Sequence, residues 1–119
     1  MGLLARWAQW LPVRRATWRV VDTTASGADI PSVIPPRGAV LVNALGSARF
    51  LAFECPCHGP HRIMLNLDAS HYPRWVVRNP DPLSVWPSVD YRHDGQRCHF
   101  VLRGGIVKWV SDEEAEGTT

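Results

Sequence analysis

The stretch Glu54-Cys55-Pro56-Cys57-His58-Gly59-Pro60-His61-Arg62-Ile63-Met64-Leu65-Asn66-Leu67 governs how the rest of the chain reads. Two thiols and two imidazoles crowd into residues 55–61, between two short apolar runs, 48–54 (ARFLAFE) and 62–67 (RIMLNL). Runs of that length, interrupted by Pro and Gly, are strands joined by a turn. Pro56, Gly59 and Pro60 stiffen the turn, so little entropy is lost when its side chains are ordered around a ligand. Zinc takes four soft or borderline ligands in a tetrahedron. The turn offers part of such a set, and Cys98-His99, some forty residues on, is the evident second half.

The expected ligand set is Cys55, Cys57, His61 and Cys98, with zinc as the ion. His58 competes with His61, and His99 competes with Cys98. Neighbours on a regular strand point to opposite faces, so Cys98 and His99 do not easily share one metal. The same alternation weakens a catalytic pair of Cys98 and His99, because a thiolate nucleophile needs its base within hydrogen-bond reach. Glu54 could act as general base on a metal-bound water, or simply be a solvated carboxylate. The plainer alternative is that the thiols are small core residues and the histidines lie on the surface. Three cysteines are an odd count, which argues against a disulfide framework. A Cys55–Cys57 bridge would close a strained ring. His71 sits in a polar loop and His93-Asp94 in a turn, so neither is assigned chemistry.

Outward from this turn the pattern is mainly β. Strands are expected over 18–22, 39–44, 48–54, 62–67, 74–79, 83–89, 98–103 and 106–110, the last two joined by the hairpin signal Gly104-Gly105. Short connections favour mostly antiparallel pairing. The expected fold is a small antiparallel sheet or half-barrel carrying a zinc-binding turn. Leu3, Leu4, Trp7, Trp10 and Leu11 recur at helical spacing before Pro12, which predicts a short N-terminal helix. The organisation is therefore a helical segment at 1–16, a β-rich zinc-binding domain at 17–110 and an acidic, disordered tail at 111–119.

At 119 residues, with 45% hydrophobic and 20% charged side chains, the chain suits one globular domain. The net charge is +2, but residues 111–119 carry four acids and no base, so the rest stands at +6. Lys108 is the single lysine beside twelve arginines. Arginine suits acidic or phosphate partners, yet a GC-rich genome also favours its codons, so charge alone makes no case for nucleic acid. Trp75, Trp86 and Trp109 read as core residues; exposed on an arginine-bearing sheet they would instead suit single strands. No apolar run approaches the roughly 20 residues of a membrane span. The opening residues, broken by Arg6 and Gln9 and without a small-residue cleavage site, do not read as a signal peptide. A cytoplasmic location is expected.

The stretches ECPCHGPHRIMLNL (54–67), PRWVV (73–77), PSV (87–89) and CHFVLRGGIVKW (98–109) together resemble a bacterial domain family. Its members carry a CPCGCG-type turn, an arginine–tryptophan strand, a PSV segment and a final Cys-x-Ser-His-aromatic hairpin. The resemblance spans residues 17–110. It implies a zinc-binding component of systems that conjugate, process or remove a ubiquitin-like protein. The implied partners are that protein and its E1-like and E2-like enzymes, in a setting that includes antiphage defence. The chain departs from the pattern: Gly59 stands at the third cysteine of the turn, His58 at a glycine, Gln96 at the later cysteine and Cys98 at the serine, while His99 is kept. The resemblance thus implies a rearranged ligand set or a site that has lost its metal. If the family's Ser-His were catalytic, Cys98 would be a serine-to-cysteine exchange. Three functions follow as expectations: a zinc-stabilised accessory domain that binds the ubiquitin-like protein or its enzymes, a small peptidase using Cys98 or a zinc-bound water with Glu54, and a zinc module for nucleic acid.

Overall fold

A computed structural model describes residues 16–57 and 61–111. The expected N-terminal helix, His58 and the acidic residues of the tail lie outside the described residues. The described chain is mainly β, as its alternating apolar pattern dictates. Strands β1 (Arg19–Thr24), β2 (Gly38–Ala44), β3 (Ser47–Glu54) and β4 (Arg62–Asn66) form one four-stranded sheet in the order β1-β2-β3-β4. Strands β5 (Val76–Pro80), β6 (Leu83–His93), β7 (Gln96–Arg103) and β8 (Ile106–Trp109) form a second, in the order β5-β6-β7-β8. The one helical element among the described residues is a 3-10 turn at Gly27–Asp29.

Every strand pair is antiparallel except β1 with β2. Residues 25–37 cross back over the sheet before β2, and that crossover has its own apolar cargo. Ile34 packs with Val40 and Ala52, with Ile30 against them, so one face of the first sheet is covered by the loop. The opposite face carries Leu51, Phe53, Ile63 and Leu65 into the main core, where they meet Leu83, Val85, Val89, Phe100 and Leu102 of the second sheet. Period-two alternation explains this division: in β7, Cys98, Phe100 and Leu102 are buried while Arg97, His99 and Val101 face the other way. Burying a side chain such as Phe53 or Phe100 stabilises by roughly 1.5–3 kcal/mol.

Trp18 ties the sheets together. Its ring meets Phe53 edge-on at 5.5 Å, and Phe53 meets Phe100 at 6.3 Å. Its backbone N–H donates to Gly105 O, and its carbonyl accepts from Leu83 N–H. The core therefore runs through both sheets. No helix among the described residues is long and apolar enough to cross a membrane.

Candidate functional site

The turn after β3 and the third residue of β7 converge at the end of the core. One donor atom from each of Cys55, Cys57, His61 and Cys98 lies within 4.8 Å of the others. His61 Nε2 is 3.5 Å from Cys57 Sγ and 3.7 Å from Cys98 Sγ. A tetrahedral zinc site with its usual bond lengths puts ligand sulfur and nitrogen about 3.6 Å apart, and two sulfurs about 3.8 Å apart. The spacing and the donor set of three sulfurs and one nitrogen fit an ion of that kind, so the cluster could hold a metal. All three cysteines are unbridged.

Local structure explains the convergence. Cys55 N–H donates to His61 O at 2.9 Å, which closes the turn at the base of the β3–β4 pair. Cys98 reaches the same point because β7 alternation sends it inward. His61 is the one buried polar side chain among the described residues, and its ring stacks on Tyr91 at 5.1 Å and on His93 at 5.2 Å. A buried imidazole needs partners, and here they are thiols. Burial, with Cys57 and Cys98 adding to it, pushes the Cys55 thiol up to about 12. Burial, then Cys57, raises Cys98 as well. Without a cation these are reluctant thiolates, the reverse of an activated nucleophile.

The other sequence candidates fall elsewhere. Glu54 is tied to Arg62, which donates to its Oε1 from Nε at 3.1 Å and from Nη2 at 2.8 Å. His99 faces the opposite side of β7 from Cys98, as alternation requires. There it meets a residue to which the sequence reading gave no role: Ser88 Oγ lies 3.2 Å from His99 Nε2.

A distortion of β6 produces that contact. Val85 pairs with Leu102 and Val89 with Phe100, so Trp86, Pro87 and Ser88 together oppose Val101 alone. Pro87 has no N–H for the ladder, and bulges of this sort re-aim side chains. Trp75 Nε1 donates to Ser88 O at 3.1 Å and holds the bulge. Asp90 is the cross-strand neighbour of His99, but its carboxylate is taken by Arg97 through two bonds of 2.9 and 2.8 Å. Arg97 accordingly holds Asp90 below the usual carboxylate range. His99 Nδ1 is buried with no hydrogen-bond partner among the described residues. The arrangement is a hydroxyl against an imidazole, the geometry of a nucleophile with its base, without a third member among the described residues. The signal in the sequence was the PSV segment accompanying a retained His99.

Residues 14–110 match the family described as bacterial ubiquitination-like system serine protease (BubE). No match to a curated protein or to a solved structure was found.

Proposed function

Because the chain belongs to the bacterial ubiquitination-like system serine protease (BubE) family, we propose that it is a serine peptidase that trims or removes the ubiquitin-like protein of such a system, with Ser88 as nucleophile and His99 as base. The observation that carries this reading is the 3.2 Å approach of Ser88 Oγ to His99 Nε2 on the face of the second sheet opposite Cys98.

Ser88 Oγ attacks the carbonyl carbon of the scissile acyl bond while His99 Nε2 takes its proton. The imidazolium returns that proton to the leaving amine, which departs and leaves an acyl-serine. Water, deprotonated by the same nitrogen, releases the acid and restores Ser88. For Nε2 to accept, neutral His99 carries its proton on Nδ1. That buried donor has no acceptor among the described residues.

Zinc held by Cys55, Cys57, His61 and Cys98 would have four protein ligands and no open position, the arrangement of a structural ion. In this reading the metal braces the fold and Cys98 is a ligand rather than a nucleophile.

The test is incubation of the purified protein with the system's ubiquitin-like protein bearing a C-terminal extension, followed by mass spectrometry. We expect trimming by the wild type, none by Ser88→Ala, and kcat lowered about 10²–10⁴-fold in His99→Ala. Trimming by Ser88→Ala at the wild-type rate overturns the assignment. A second reading, an accessory domain that binds the ubiquitin-like protein, draws on the closed ligand set. It prevails if that protein is retained in a pull-down yet never cleaved.

A further inference from the structure

Trp86 precedes Ser88 by two residues in the same bulge and shares its outward face. Trp86 is 46% exposed, and two guanidiniums lie over its ring: Arg103 Cζ is 3.7 Å from the ring centroid and Arg78 Cζ 5.0 Å. The two guanidiniums come from different strands, β7 and β5, on either side of β6. Arg103 is anchored, donating to the carbonyls of Val85 and Leu102. Among the described residues no carboxylate pairs with Arg78 or Arg103, whereas Arg49, Arg62 and Arg97 each have one. Two like charges gathered on one ring repel each other, and burial together with Arg78 lowers the Arg103 pKa. Such an arrangement is stabilised when an anion arrives. The anchored Arg103 orders the ring, and Arg78 supplies a fork of donors that suits a carboxylate.

We infer that Arg78, Trp86 and Arg103 form a subsite for an acidic side chain of the polypeptide substrate, held beside the bond presented to Ser88. The inference rests on the reading of Ser88 as nucleophile for its orientation, but binding at the subsite does not require cleavage. A polypeptide is favoured over a single-stranded nucleic acid because stacked bases would have to compete for the ring with the two guanidiniums already over it.

The experiment measures fluorescence anisotropy with two fluorescein-labelled octapeptides alike except that alternate residues are Glu in one and Gln in the other. Ser88→Ala protein is used throughout, so that binding is read whether or not the wild type cleaves. We expect the Glu peptide to bind about tenfold tighter than the Gln peptide. Arg78→Gln should remove that preference, bringing the two peptides to within about twofold of each other. Raising salt from about 50 to about 300 mM should erode it too. The inference is overturned if both peptides bind alike, if neither binds, or if Arg78→Gln changes nothing. It is also overturned if an oligothymidine competes ahead of the Glu peptide with the same dependence on Arg78.

Discussion

At Asp68 three donors converge on one carboxylate. Ser70 gives its backbone N–H at 3.0 Å and its hydroxyl at 2.7 Å, and Arg49 Nη1 donates at 2.9 Å. Ser70, then Arg49, hold the Asp68 carboxyl down at about 2 against an ordinary 3.8. A depressed carboxylate pKa contributes stability that is complete above the unfolded value and disappears as pH falls through the folded one. The Asp68 contribution should therefore fade between about pH 4 and about 2. Melting temperature against pH should fall less steeply across that window in Asp68→Asn than in the wild type; equal slopes would refute the link. Single residues also show what sequence can carry. Cys55, Cys57, His61 and Cys98 stood out because thiols and imidazoles are rare and their spacing was suggestive, and the structure brings all four within 4.8 Å. Ser88 did not stand out. Serine is common, and its approach to His99 depends on a three-against-one bulge that strand periodicity cannot announce.

The turns belong to the next scale. Leu45-Gly46, Asp94-Gly95 and Gly104-Gly105 each link two strands with both residues at positive φ, the type I′ geometry that matches strand twist. Leu45 holds φ at 55° and is almost wholly exposed, so it bears left-handed strain without compensating burial. Leu45→Asn should stabilise by about 0.5–1 kcal/mol in denaturant titration, because Asn tolerates that region. Gly105 is the contrasting case. A Cβ there would stand 2.6 Å from Thr17 Cβ and 3.0 Å from Pro82 Cβ, whereas one at Gly104 meets nothing within 4 Å. Gly105→Ala should cost about 2–4 kcal/mol, left-handed strain plus overpacking, and Gly104→Ala only about 1. Comparable losses at the two positions would contradict the packing. The Gly104-Gly105 hairpin, and nearly every strand, were legible because their signals are local. The parallel pairing of β1 with β2 was not, since it depends on Ile30 and Ile34 finding cover on the back of the first sheet.

For the whole molecule the question is what joins the two sheets. One joint between them is the shared apolar core, through which runs the aromatic series Trp18, Phe53, Phe100 and Trp109, each ring edge-on to the next. The other is the ligand cluster, with Cys55, Cys57 and His61 from the β3–β4 end of the first sheet and Cys98 from β7 of the second. A structural zinc ion contributes apparent binding free energy of roughly 10–16 kcal/mol, as large as the whole stability of a typical domain, about 5–15 kcal/mol. Buried thiols left without a cation do not replace that contribution, because in the protonated state they attract one another only weakly. We therefore expect purified protein to hold one zinc per chain by elemental analysis, and chelation to unfold it or lower its melting temperature by well over 10 °C. Cys57→Ser and Cys98→Ser should reproduce that loss and bind no zinc. Phe100→Ala provides the comparison: truncating a large core ring costs about 3–5 kcal/mol, yet its ligands remain and it should still carry one zinc. If complete removal of the metal left the melting curve unchanged, the apolar core would be sufficient to hold the sheets together, and bracing would cease to be the reason for gathering three thiols and an imidazole at their junction.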